Sequence, residues 1–436
     1  NEILSGLVGS EMCIRDRSGV DFFLATTSNF ITAKALKAFG WQNMPTDENK
    51  ICPVCLNVDE NIVLTKRNNI PVLQNVALGN REQAIGFPTG TLVMVRCANC
   101  SFVWNADFDQ TKITYDDGYN NDVAYSKYYV SHLEDMADRI IQSVPPGEEI
   151  NYVEIGCGKA DFLRLVVERA KGRCVSAVGF DPTFTSELKL PKGAVVHKTF
   201  FGPDQLKLIP IETNAVCSRH TIEHVADAHG FVSALATAIT TPAQTLFVET
   251  PDANWILENT AFQDFFYEHC SIYTPESMSK ILGKYGLSAN TTAVYGGQYM
   301  WTEAVLAEDR PTLKDTNSNQ EASQDLAKAY VLNSVKVLSE WSSFIREQSE
   351  KGPVAIWGGA SKGVSFTLLM SQLQNANIEI VCAIDLNERK QNCFMPATGA
   401  PIVSPEDAKN MGIATIIVMN PNYLGEIKRM VKKLML

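Results

Sequence analysis

The sequence predicts an α/β protein in which a small cysteine-rich unit precedes two parallel sheets, the first larger than the second. Three observations carry this. Two Cys-x-x-Cys pairs, Cys52/Cys55 and Cys97/Cys100, bracket a stretch with short β-like runs at 62–65 and 91–96. Apolar runs at 151–155, 175–180, 194–197, 215–218 and 245–249 then alternate with helical segments, the pattern of strand–helix–strand units in a parallel sheet. After a polar linker at 309–320 and a long helical stretch to about residue 350, the alternation restarts with runs at 353–357, 378–384 and 415–419.

The chain has 436 residues, more than one ordinary core of roughly 100 to 200 holds. We divide it into a leader at 1–50, a metal-binding unit at 51–112, a first α/β unit at 113–310 and a second at 311–436. Hydrophobic residues make up 45% and charged residues 20%, which excludes disordered and collagen-like classes. Acidic residues number 49 against 38 basic ones, a net charge of −11 that argues against nucleic acid or anionic lipid as partner. No apolar run reaches the ~18 residues a membrane span needs, so a soluble protein with a small organic substrate is expected. Oligomeric state is not legible.

Within the leader, Glu11 to Arg17 resembles a translated sequencing adapter, so the first residues, to about Arg17, are expected to be no gene product. Residues 21–40 carry Phe22, Phe23, Ala33, Leu36 and Phe39 at helical spacing, which predicts a short amphipathic helix closed by Gly40. Tyrosines crowd the segment from Tyr115 to Tyr129, ahead of a helix expected to end near the Pro145-Pro146 pair. Residues 289–295 and 300–307 flank Gly296-Gly297-Gln298 and predict a hairpin that finishes the first sheet.

Zinc takes tetrahedral thiolate ligands, and each Cys-x-x-Cys turn sets two sulfurs on one side of an ion. Cys52, Cys55, Cys97 and Cys100 therefore predict a closed, structural zinc site. Thiolate ligation also implies a reducing compartment, most simply cytoplasm.

The first strand of the larger sheet leads into Glu154-Ile155-Gly156-Cys157-Gly158-Lys159-Ala160-Asp161 and a helix at 162–170. Glycines admit a ligand to the backbone, and the helix amino terminus offers it amides. A dinucleotide turn requires a third glycine where Asp161 stands. The next strand ends in Asp181, about 20 residues past the last glycine, where a carboxylate meets ribose hydroxyls. This set resembles the first motifs of class I adenosylmethionine-dependent methyltransferases. The resemblance implies S-adenosyl-L-methionine as cofactor, held by Glu154, Gly156, Gly158 and Asp181, with Phe200 bordering the adenine and Ser218 the methionine end.

Further on, the strings Trp357-Gly358-Gly359-Ala360-Ser361-Lys362-Gly363 and Asp385-Leu386-Asn387-Glu388-Arg389-Lys390-Gln391 complete a likeness from about Ile51 to the end. Zinc unit, methyltransferase sheet and second Rossmann-like unit, in that order, resemble the sugar C-methyltransferases, which act on nucleotide-linked keto sugars. The likeness implies that Gly358, Ser361 and Lys362 contact the substrate. It also aligns a family tyrosine with Tyr119.

Methylating a carbon beside a ketone requires a base, stabilisation of the enolate oxygen and alignment with the methyl group. Histidine suits the first task. The candidates are His224, in Arg219-His220-Thr221-Ile222-Glu223-His224, and His269 with Glu268. The family pattern places a tyrosine two residues before the glutamate, where this chain has Phe266, and Tyr267 stands one place later. That departure keeps alternatives open: methylation of oxygen or nitrogen, or a zinc-containing scaffold with an inert sheet. An NAD site in the second sheet, using Gly358 and Asp385, ranks lower because its glycines miss the dinucleotide pattern.

Overall fold

The computed structural model describes residues 14–15, 21–24, 50–58, 61–114, 126–185, 189–308, 317–373 and 380–435. Its first elements are two short strands, Ile14–Arg15 (β1) and Asp21–Leu24 (β2), paired antiparallel. The helix expected over 21–40 therefore does not begin at Asp21. Residues 21–24 instead lie parallel to residues 415–418 of the second sheet. Two adjacent phenylalanines suit an extended strand on a sheet. Residues 25–40 and Tyr119 lie outside the described residues.

The cysteine unit follows. Cys52 and Cys55 sit in a tight loop closed by Leu56 N–H donating to the Cys52 carbonyl at 3.0 Å. After it come strand Ile62–Pro71 (β3), helix Arg81–Ile85 (α1), strand Thr89–Arg96 (β4), the Cys97–Cys100 turn and strand Val103–Asn105 (β5). The three strands form an antiparallel ladder in the order β5-β4-β3.

Helix Lys127–Ser143 (α2), capped by the Ser126 hydroxyl, opens the central unit. Then follow strand Ile150–Ile155 (β6), helix Asp161–Arg169 (α3), strands Cys174–Phe180 (β7), Ala194–His197 (β8) and Ala215–Arg219 (β9), and helix Ala228–Thr237 (α4). Strand Thr245–Pro251 (β10), helix Ala253–Glu258 (α5), strand Ser271–Ile272 (β11), helix Pro275–Lys284 (α6) and strands Leu287–Val294 (β12) and Tyr299–Leu306 (β13) complete it. The sheet runs β12-β13-β10-β9-β6-β7-β8; β13 is antiparallel to both its neighbours, and β8 to β10 are mutually parallel. Strand order reverses between β6 and β9, so a crevice opens at their carboxyl ends, where α/β sheets bind ligands.

One strand leaves this unit. β11 pairs antiparallel with β5, with Ser271 opposite Trp104 and Ile272 opposite Val103. Asn105 N–H donates to the Cys270 carbonyl at 3.0 Å. The cysteine unit thus carries the backbone just after the fifth strand of the central sheet, and the two share one core, where the Phe102 ring meets the Tyr273 edge at 4.8 Å.

Helix Asn317–Ser349 (α7) starts inside the stretch expected to be linker through residue 320. The second sheet follows with strand Val354–Trp357 (β14), helix Ser361–Gln372 (α8), strands Ile380–Ile384 (β15), Cys393–Phe394 (β16) and Pro401–Val403 (β17), helix Pro405–Asn410 (α9), strand Thr415–Val418 (β18) and helix Leu424–Met435 (α10). Its order is β1-β2-β18-β14-β15-β17-β16. Val337, Trp341 and Ile345 of α7 pack with α8 over β14. Among the described residues no helix is long and apolar enough to cross a membrane.

Candidate active site

The turn after β6 needs its glycines. Gly156 has φ +75°, and a Cβ there would lie 1.9 Å from the Thr221 hydroxyl. Gly158 has φ +52° with open space beside it, and its N–H donates to Asp181 Oδ2 at 2.8 Å. Asp181 Oδ1 also accepts from the Thr183 amide at 2.8 Å, so the acid at the end of β7 closes the turn. Phe200 lies 72% exposed on the neighbouring loop.

Three buried polar atoms at this edge make no hydrogen bond within the protein: Glu154 Oε2, Ser218 Oγ and Arg219 Nη2. Glu154 and Arg219 share one face of the sheet by strand alternation, and Ser218 points to the other. The Arg219 guanidinium sits 4.2 Å above the Phe162 ring of α3. Burial pushes the Glu154 carboxyl up to about 8, with Arg219 pulling the other way.

A chain of buried charges runs along the carboxyl ends of β9 and β10. Glu249 accepts from Arg219 Nε at 2.5 Å and meets His132 Nε2 at 2.5 Å and His220 Nε2 at 3.7 Å. His220 Nδ1 lies 3.2 Å from Glu223, which also accepts from the Thr250 hydroxyl at 3.2 Å. Burial alone would lower the His220 pKa, but hydrogen bonds to Glu223 and Glu249 push it up to about 10. Burial would likewise raise Glu223, yet His220 first, then His224 and His269, hold it at about 2.

Two histidines meet beside this chain. His224 ends the single turn Ile222–His224 after β9, and its ring lies 4.7 Å from that of His269 at 90°. His224 Nδ1 is 3.6 Å from Glu268 Oε2, and Glu268 Oε1 accepts the Gln74 amide at 3.2 Å. Burial, reinforced by His224, pushes His269 down to about 3, so its ring is neutral near pH 7. Its buried Nδ1 has no partner in the protein.

The segment holding Glu268 and His269 is fixed from several sides. Arg67 Nη1 donates to the Phe262 carbonyl at 2.8 Å. Lys362, at the start of α8, lies 2.7 Å from Asp264 Oδ1 and donates to Gln298 Oε1 at 2.9 Å. In the second unit, Gly359 N–H donates to Asp385 Oδ2 at 3.0 Å, the same device that joins Gly158 to Asp181.

The four cysteines converge as well. Cys52 Sγ is 3.6 Å from Cys100 Sγ, and Cys55 Sγ is 3.5 Å from Cys97 Sγ. Sulfurs ~2.3 Å from a tetrahedral centre sit about 3.8 Å apart, so these spacings fit one metal ion.

A methyltransferase domain model matches residues 127–292, and a C-methyltransferase C-terminal domain model matches residues 315–435. The C-methyltransferase NovU of Streptomyces niveus is 24% identical over 400 residues, covering 88% of this chain and 91% of its own. The chain joins a methyltransferase domain to a C-methyltransferase C-terminal domain, and it is a SAM-dependent methyltransferase. Among solved structures, the magnesium protoporphyrin IX methyltransferase ChlM of Synechocystis PCC 6803 with bound SAH has a TM-score of 0.31 at 15% identity, covering 43% of this chain and 89% of its own. The methyltransferase domain of bacterial CtHen1 has a TM-score of 0.31 at 16% identity, covering 40% and 98%.

In this methyltransferase, His224, Glu268 and His269 come together, but Tyr267 does not join them. Its hydroxyl accepts the Asp109 amide at 2.9 Å, and its ring fills the space a side chain at Gly90 would occupy. Gly358, with φ +117°, and Ser361 lie at the start of α8, where Lys362 is engaged by Asp264. Sequence reasoning placed Arg219, with Ser218 and His220, at the methionine end of the cofactor, but missed His132, Glu223 and Glu249. The acid closing the apolar strand β10 and the Glu223 inside the histidine motif were legible signals; His132 on α2 gave none.

The raised Glu154 has a stability consequence. Its folded pKa lies above the ordinary 4.5, so unfolding releases a proton and the ligand-free protein loses stability as pH rises from about 4.5 to about 8. Glu154→Gln is expected to flatten that loss in thermal scans while weakening adenosylhomocysteine binding in calorimetry. A pH slope identical to wild type contradicts the assignment.

Proposed function

We propose that the enzyme methylates a carbon beside the ketone of a nucleotide-linked sugar through an enolate. The observation that carries this reading is the half-buried His269 ring packed 4.7 Å from His224, which itself faces Glu268, at the same sheet edge as the glycine turn. The residues fit the cofactor. Gly156 and Gly158 leave the backbone approachable, and the orphan atoms of Glu154, Ser218 and Arg219 supply polar groups that a ligand with amino and carboxylate ends would satisfy. When bound, adenosylmethionine supplies an electrophilic methyl group.

The protein's own groups would act in order. His269, neutral and with an unpartnered Nδ1, accepts the proton from the substrate carbon. The resulting imidazolium gains the Glu223 carboxylate as a favourable neighbour. His224, its Nδ1 facing Glu268, would stabilise the enolate oxygen through its other nitrogen in the doubly protonated form, in which both ring nitrogens carry a hydrogen, a role Tyr267 cannot take while bound to Asp109. Tyr119 is proposed as a further substrate contact.

We assign residues 113–310 to methyl transfer and 311–436 to holding the sugar nucleotide, with Gly358 and Ser361 at the turn and Lys362 able to exchange Asp264 for substrate. The matched pairs Gly158–Asp181 and Gly359–Asp385 support a nucleotide-type turn in both units. Cys52, Cys55, Cys97 and Cys100 of the 51–112 unit would hold one zinc ion, whose work is structural because four protein thiolates complete its shell. Thiolate ligation is consistent with a cytoplasmic enzyme.

The decisive assay supplies methyl-labelled adenosylmethionine and a panel of nucleotide-linked keto sugars. A labelled methyl on carbon, located by carbon NMR, is expected; a label on oxygen or nitrogen, or none, overturns the reading. One zinc equivalent per chain is also expected. Because β5 carries the backbone of Cys270, stripping that metal should abolish turnover while adenosylhomocysteine binding falls less. Metal-free protein with full turnover contradicts the structural role.

A further inference from the structure

Glu223, His224 and His269 come from two separate loops, yet each offers one ligand atom, and these atoms lie within 4.8 Å of one another. Two imidazoles and one carboxylate form a donor set that zinc, cobalt and nickel ions accept. Ligand atoms around such ions are about 3 to 4 Å apart, so small side-chain rotations close the remaining gap. The supporting shell already exists. Glu223 is completely buried and holds hydrogen bonds from His220 and Thr250, while Glu268 faces His224 Nδ1 and is fixed by the Gln74 amide. Metal-ligating histidines and carboxylates characteristically have such outer partners. His269 Nδ1 is buried and makes no hydrogen bond within the protein.

We propose that Glu223, His224 and His269 form a second cation site, sulfur-free and separate from the four cysteines, that binds a divalent transition-metal ion reversibly. If His269 is the base, as the proposed function has it, the ion takes the ring lone pair that proton transfer uses. Occupancy then inhibits methyl transfer. Zinc released from damaged thiolate sites, or any rise in labile metal, would switch the enzyme off without touching its fold.

The test titrates zinc-loaded full-length protein with cobalt(II), followed by calorimetry and visible absorption. One additional equivalent is expected, with ligand-field bands and no sulfur-to-cobalt charge-transfer band. Glu223→Gln and His269→Ala should each weaken it more than about tenfold, while zinc at the cysteines stays at one equivalent, which shows that both variants fold. Methyl transfer should fall with occupancy and return on adding citrate. No second equivalent, a sulfur-type band, or unchanged affinity in both variants overturns the site. Full occupancy with undiminished methyl transfer keeps the site and contradicts instead the assignment of His269 as base.

Discussion

Glu249 is the group on which the active edge of this enzyme depends. It is completely buried at the end of β10, beside buried Arg219, half-buried His220 and buried His132 from α2. Burying a charge costs several kcal/mol unless it is paired and hydrogen-bonded, and removing one partner from such a set typically costs about 3 to 5 kcal/mol. The carboxylate therefore fixes four elements at once: β9, β10, α2 and the turn that carries His220. From His220 the alternation of charge continues to Glu223, and Glu223 faces His224 and His269. A single ionic chain thus links the edge that faces the cofactor crevice to the cluster that would handle the proton.

The second constraint is mechanical. The segment 261–273 holds Glu268 and His269 but belongs to no single layer. Arg67 grips its Phe262 carbonyl from β3, Lys362 grips Asp264 from α8, and β5 takes Ser271 and Ile272 as an edge strand. All three units of the chain therefore converge on the same dozen residues. The cysteine unit, at some remove from the chemistry, acquires a role in this way, since its ladder holds the backbone beside His269. Catalytic geometry tolerates little displacement, and a misplacement of about 1 Å can cost on the order of a hundredfold in rate.

What was legible in the sequence is what local period and spacing encode. Strands such as 215–218 appear where their apolar runs predicted, because each buries against helices contributed by its own neighbours in sequence, as Val216 does against Ala228, Phe231 and Val232 of α4. The glycine turn was legible because Gly156 and Gly158 occupy conformations other residues resist. The likeness of the whole chain to C-methyltransferases rested on such strings. Long-range partners were not legible. Nothing in Ser271-Ile272 announces a strand that pairs across to the cysteine unit, and nothing near Phe22 announces pairing with residues 415–418. Tyr267 looked like a displaced catalytic tyrosine, yet its direction is set by Gly90 and Asp109, residues far away in sequence. Lys362 stood in a ligand-type turn, but its ion pair with Asp264 is visible only in three dimensions.

Proton abstraction by His269 is the central claim, and it can be separated from methyl transfer. The measurement is exchange of the hydrogen beside the ketone of a nucleotide-linked sugar in heavy water, with adenosylhomocysteine in place of the methyl donor. Wild-type enzyme should exchange that hydrogen, and His269→Ala should slow the exchange by roughly a hundredfold or more while binding adenosylhomocysteine normally. Exchange at the wild-type rate in that variant would contradict the account.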